Sequence, residues 1–191
     1  AGDIWDAYDI TSTVHPTGIG GGSNSMMYTL PALMDGLSVN ASFNPSGTST
    51  ESAMGYSATY TGVEGLTLSY GSGDGTTANT SADAMKASYA YGPVTVAYSN
   101  YEYDADGTSS DDDTTSYKVS YTVSDEISVS YGSETVERGT LVDVETSRIS
   151  ASYTAGGMTI SATMDEIENM NGTTTATQDR ERWALGASFA F

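Results

Sequence analysis

The chain has no cysteine, so disulfides and thiolate metal sites are excluded. It has one histidine, His15, which leaves no imidazole pair for a metal centre and no serine–histidine couple for acyl transfer. It has no apolar run near the roughly 18–20 residues that a membrane-crossing helix needs. Nor does any stretch longer than two turns repeat its apolar residues at helical spacing. Bases are scarce: 6 lysines and arginines stand against 25 acids, a net charge of −19. A chain this acidic repels a phosphate backbone, which excludes nucleic-acid binding. Gly71-Ser-Gly-Asp-Gly75 contains a G-x-G but opens no helix, so no nucleotide loop is expected. The amino terminus, Ala1-Gly-Asp-Ile-Trp-Asp6, carries neither the basic nor the apolar segment of a secretion signal. With these gaps the chain reads as no enzyme.

What is present is alternation. Hydrophobic residues make up only 38% of the chain, and the mean hydropathy is −0.29. Yet apolar residues recur at every second position, the period of a strand with one greasy face. The last stretch, Trp183-Ala-Leu-Gly-Ala-Ser-Phe-Ala-Phe191, shows it plainly and stops on an aromatic. The pattern predicts strands over 24–30, 37–43, 53–60, 66–71, 82–91, 94–103, 114–122, 127–136, 145–154, 158–165 and 178–191. One face of each carries Tyr, Val, Leu, Ile or Met, and the other carries Ser, Thr, Gly, Asn and Ala. Backbone polar groups in a bilayer must be paired, so a membrane protein of this composition is expected to be a barrel.

The connections alternate as well. Tight ones fall at 31–36, 61–65, 92–93, 123–126 and 155–157, and longer polar ones at 44–52, 72–81, 104–113, 137–143 and 166–177. Short turns on one side and long loops on the other are what an up-and-down transmembrane barrel produces. Of 14 tyrosines, Tyr60, Tyr89, Tyr91, Tyr121 and Tyr153 lie beside the short turns. A ring with a wet hydroxyl suits the aromatic girdle at a membrane interface. The competing explanation is the high strand propensity of tyrosine.

Three stretches resemble the general diffusion porins of Gram-negative outer membranes, which are trimeric sixteen-stranded barrels. The first is the closing strand with Phe189 and Phe191, similar to the carboxyl-terminal signal read during barrel assembly. The second is the hairpin Asn24-Ser-Met-Met-Tyr28-Thr-Leu-Pro31-Ala-Leu-Met-Asp-Gly36-Leu-Ser-Val-Asn-Ala41-Ser-Phe43, similar to the one that follows the loop folded into the pore. The third is the repeated Ser-Tyr strand ending before a short turn. The resemblance implies that residues 1–23 are the latter part of that constriction loop and that 24–191 supply strands six to sixteen. It implies a homotrimer in the outer membrane, in contact with lipid and lipopolysaccharide. An odd strand count puts the two ends of the chain on opposite sides of the membrane, so the remaining strands are expected on a companion fragment or chain.

The resemblance gives roles to several charges. Asp3, Asp6 and Asp9 recur every third residue in the constriction segment and would face basic side chains across the narrowest point. A short helical turn with a solvated acidic face would show the same spacing. Lys86, Lys118, Arg148 and Arg182 all fall on the polar face of alternate strands and are expected in the lumen, opposing the loop acids or balancing Asp83, Glu145 and Glu181. Asp104, Asp106, Asp111, Asp112 and Asp113 form an acidic loop that is either a solvated charge run or a Ca²⁺ or Mg²⁺ site, since hard cations take oxygen ligands. No other cofactor is expected. The reading is an outer-membrane channel for ions and small hydrophilic solutes, mildly cation-selective. The alternative is an acidic, calcium-dependent surface-layer or adhesin-type structural β-protein.

Overall fold

Each of the eleven predicted strands forms. The computed structural model describes residues 25–46, 51–107, 111–175 and 178–190. Within them the chain builds β1 (Met26–Thr29), β2 (Leu37–Asn44), β3 (Ala53–Tyr60), β4 (Leu66–Asp74), β5 (Ser81–Tyr91) and β6 (Val94–Asp104). It continues with β7 (Asp112–Thr122), β8 (Ile127–Arg138), β9 (Val144–Ala155), β10 (Met158–Glu168) and β11 (Arg180–Phe189). They lie in chain order in one antiparallel 11-stranded sheet. Among the described residues β1 pairs only with β2, and β11 only with β10, so closure into a barrel is not seen. No helix among them is long and apolar enough to cross a membrane, which says nothing of strands.

Most strands run longer than the apolar alternation suggests, chiefly toward the long-loop end, while β1 and β11 are shorter than predicted. β7 begins at Asp112 and not 114, β8 ends at Arg138 and not 136, and β10 continues to Glu168 and not 165. The ladder of backbone hydrogen bonds does not need apolar side chains, so it continues where the alternation turns polar. At the other end the turns are tight. Gly156 and Gly157 join β9 to β10 with φ of 59° and 79°, the left-handed pair that a two-residue hairpin of matching twist requires.

Unbroken registers from β5 to β11 keep the two faces separate. Every buried strand residue lies on one face, including Ser99, Tyr101, Thr114, Ser116, Glu134, Thr146 and Asp165. That is the concave face, where side chains converge. The convex face carries the exposed apolar residues, among them Val96, Tyr117, Val119, Val129, Ile149, Trp183, Leu185 and Phe189. Four outward residues in succession, such as Met158, Ile160, Ala162 and Met164, span about 20 Å along a strand at ~3.4 Å per residue. That is of the order of the ~25 Å apolar band of a transmembrane barrel.

Val119→Lys, in the middle of this band, is expected to destabilise the protein by about 2–4 kcal/mol, whereas Ser120→Lys on the opposite face costs little. Urea unfolding in lipid vesicles measures the difference, and equal losses would contradict the face assignment.

Candidate functional site

All six lysines and arginines of the chain lie on the concave face. The register explains how they meet. Lys118 on β7 stands opposite Gly132 on β8, Gly132 opposite Arg148 on β9, Arg148 opposite Asp165 on β10, and Asp165 opposite Arg182 on β11. The three expected bases Lys118, Arg148 and Arg182 therefore share one transverse row. Lys86 lies in the next row toward the long loops, with Ser99, Ser116, Glu134, Thr146, Ile167 and Arg180.

Two of the bases share one carboxylate. Asp165, with its side chain 1% exposed, accepts from Arg148 Nε at 2.5 Å and Nη2 at 3.1 Å, and from Arg182 Nε at 3.2 Å and Nη2 at 2.8 Å. The cluster keeps one net positive charge and fixes both guanidinium planes across three strands. Near the long loops, Arg138 on β8 holds the buried Asp112 of β7 through two parallel hydrogen bonds, Nη2 to Oδ2 at 2.7 Å and Nε to Oδ1. Glu134 is buried, and its Oε2 accepts from the Ser116 hydroxyl at 2.6 Å. Among the described residues Lys86 and Lys118 make no ion pair.

Toward the short turns the concave face is uncharged. Hydroxyl pairs line it: Ser128 with Ser152 at 2.7 Å, Ser130 with Ser150 at 2.6 Å, and Thr154 with Thr159 at 3.0 Å. Toward the long loops it ends in a small apolar cluster of Val136, Val144, Ile167 and Met170. There the Val142 amide donates to the Gly172 carbonyl at 3.2 Å, tying two loops together.

The acids lie mostly on the other side. Asp74, Asp83, Glu102, Asp104, Asp113, Glu137, Glu145, Glu166, Glu168 and Glu181 all project from the convex face of their strands, beyond the apolar band on the long-loop side. Asp83, Glu102, Asp113 and Glu137 stand in register across four strands. Asp83 accepts from the Tyr70 hydroxyl at 2.6 Å, and Glu181 from the Trp183 ring N–H at 2.7 Å. The described strands thus put six bases and three acids on the concave face, a surplus of three positive charges, and only acids on the convex face.

This arrangement alters several expectations. Asp83, Glu145 and Glu181 do not balance the concave bases, because odd and even positions part them; the ion-pair partners are Asp165 and Asp112, and Glu134 is a third acid on the same face. Asp165, Glu134, Arg138 and Arg180 were not expected as site residues, and Asp112 was expected in an external acidic loop and not as a partner of Arg138. Counting back in twos from Lys118 reaches Ser116, Thr114 and Asp112, which would have placed Asp112 on the lysine's face. The acidic run is divided. Asp112 turns inward to Arg138, Asp113 turns outward and accepts from Asn100 Nδ2 at 2.8 Å, and Asp111 caps the Ala105 amide at 2.9 Å. Asp104 accepts from Ser81 and Asp106 from Asn79, both at 3.4 Å. No group of three or more His, Cys, Asp or Glu suited to a metal ion occurs among the described residues. Phe189 faces outward opposite Met158. Asp3, Asp6, Asp9 and Phe191 lie outside the described residues.

A Gram-negative porin family model matches residues 1–144. No curated protein matches in sequence. Solved structures with the same fold include OccK8 (OprE) of Pseudomonas aeruginosa, with a TM-score of 0.63 and 14% identity over 84% of this chain and 60% of that one. The anion-selective porin of Comamonas acidovorans gives a TM-score of 0.64 and 14% identity over 87% of this chain and 59% of that one. A mutant Rhodopseudomonas blastica porin gives 0.60 and 16% over 87% and 55%. The chain therefore spans little more than half the length of these structures.

Asp165→Asn removes the shared carboxylate and leaves two guanidinium groups side by side. It is expected to cost about 3 kcal/mol, within the range for breaking a buried ion pair. Asp113→Asn, on the convex face, is expected to cost nothing or to stabilise slightly by relieving like-charge contact. Chemical unfolding of both variants measures the contrast.

Proposed function

Because this chain belongs to the Gram-negative porin family, whose members are outer-membrane channel proteins and not enzymes, we propose that it forms most of the wall of a water-filled pore for passive diffusion of ions and small hydrophilic solutes. The observation that carries this is the division of the sheet: an apolar band on the convex face and hydroxyls with every base of the chain on the concave face. A charge directed into lipid costs about 2–4 kcal/mol at mid-bilayer, whereas one directed into a wet lumen costs little.

The finer reading concerns selectivity. Asp3, Asp6 and Asp9 oppose Lys86 and Lys118 across the constriction, and the preference for cations is mild because the wall itself carries surplus positive charge. The total of −19 counts for little, since exposed charges more than a Debye length from the eyelet, about 8–10 Å, are screened. The Comamonas neighbour with the same fold is anion-selective, so the sign rests with a few lumen residues. Exterior Ca²⁺ or Mg²⁺ belongs to this reading too. The outer acidic loop of Asp104, Asp106, Asp111 and Asp113 would supply single oxygen ligands, and lipopolysaccharide phosphates would complete the cation's shell.

Among the described residues the outer edges of β1 and β11 pair with no further strand, which supports additional strands between them, five if the barrel has sixteen. A homotrimer fits the family. Mass spectrometry of the complex purified in mild detergent is expected to find polypeptide supplying those strands; a barrel composed of these residues alone would refute it. Lys86→Gln with Lys118→Gln is expected to move the reversal potential in a KCl gradient toward stronger cation preference. An unchanged potential would remove both lysines from the selectivity account.

A further inference from the structure

Gly132 interrupts the basic row between Lys118 and Arg148. Glycine inside a strand weakens it, and where it persists it marks a bulge, a bend or the close approach of another group. No bulge occurs here, because the registers on both sides of Gly132 are continuous. Its φ is not positive either, so the backbone would accept a side chain. Beside the glycine lies a hollow of about 140 Å³ on the concave face, lined by Lys118, Gly132, Arg148, Ser130, Ser150 and Thr163.

The lining has one chemical character. Lys118 and Arg148 flank the glycine from the neighbouring strands. Lys118 makes no ion pair among the described residues, while Arg148 is held in place by Asp165. Three hydroxyls border the hollow toward the short turns, and two of them, Ser130 and Ser150, touch at 2.6 Å. A hydroxyl donates as readily as it accepts, so the pair can turn its protons toward an anion. No carboxylate lines the hollow. Asp165 is already bonded to two arginines, and Glu134, one row away, is bonded to Ser116. At about 30 Å³ per water the space holds some four waters, or one tetrahedral oxyanion.

We propose that this hollow is a binding site for a small oxyanion of the sulfate or phosphate type, held by the Lys118 ammonium, the Arg148 guanidinium and the Ser130, Ser150 and Thr163 hydroxyls. The proposal rests on the reading of the concave face as a pore wall. It adds to that reading a saturable halt for oxyanions in a wall that otherwise only biases diffusion. The glycine is its mark, because a side chain there would fill the space without altering any charge.

The test is single-channel recording of the intact purified complex in KCl, with sulfate added on one side and chloride of matched ionic strength as control. The wild-type conductance is expected to change with sulfate along a saturating curve, which screening by itself does not give. Lys118→Gln is expected to raise the half-saturating concentration about tenfold, the effect of losing one charge-assisted contact, and Gly132→Val is expected to raise it at least as much by occupying the hollow. Each variant is scored against its own sulfate-free conductance, and Gly132→Ala serves if the valine variant does not assemble. A sulfate effect that never saturates overturns the proposal. So does a response moved by Lys118→Gln but by neither Gly132 variant, because the lysine would then act through the general field. Absence of any channel in the wild type would instead refute the pore reading.

Discussion

In a bilayer a strand has no water to satisfy its amides, so every strand must find a neighbour on both sides. That constraint shapes everything else in this chain. It explains why eleven strands with modest apolar content lie in one sheet in chain order, with each connection short enough to keep successive strands adjacent. It explains why the ladders continue past the apolar band into segments rich in aspartate and glutamate. It also makes β1 and β11 the two places where this sheet calls for another strand.

A sheet that separates lipid from water then sorts its charges. Successive side chains point to opposite sides, so residues one apart in sequence live in different solvents. Asp112 and Asp113 are the clearest pair: the first is buried against Arg138, the second stands outside in a row of like charges. The chain's acidity belongs mainly to its exterior and loops, and its few bases belong to the interior. Within that interior, Asp165 and Asp112 hold three of the arginines in fixed places, and Lys86 and Lys118 make no ion pair among the described residues. Where one row of bases passes over Gly132, the concave face bears a hollow of about 140 Å³.

Much of this was legible in the sequence. Alternation alone located all eleven strands and put Lys86, Lys118, Arg148 and Arg182 on one face, because lipid on one side and water on the other write a period of two into each strand. The strand ends toward the long loops were not legible. There the outward face turns acidic, as at Asp113 and Glu137, while apolar residues such as Val136, Val144 and Ile167 fall on the concave face, so the outward apolar alternation breaks down. Nor did the alternation reveal the transverse rows. Which residue of β9 lies opposite Asp165 depends on the register, and register is set by turn geometry and pairing, not by the pattern of a single strand. The Arg148–Asp165–Arg182 cluster and the glycine hollow both depend on it.

The central claim is that the concave face lines an aqueous channel and the convex face meets lipid. The chain contains no cysteine, so a single introduced thiol reports on its own surroundings. Ser130→Cys and Val129→Cys differ by one position and point to opposite faces. In planar bilayers, a charged water-soluble thiol reagent should step down the conductance of the Ser130→Cys channel and leave the Val129→Cys channel unchanged. A reagent that blocks Val129→Cys and spares Ser130→Cys, or acts on both alike, would contradict the account.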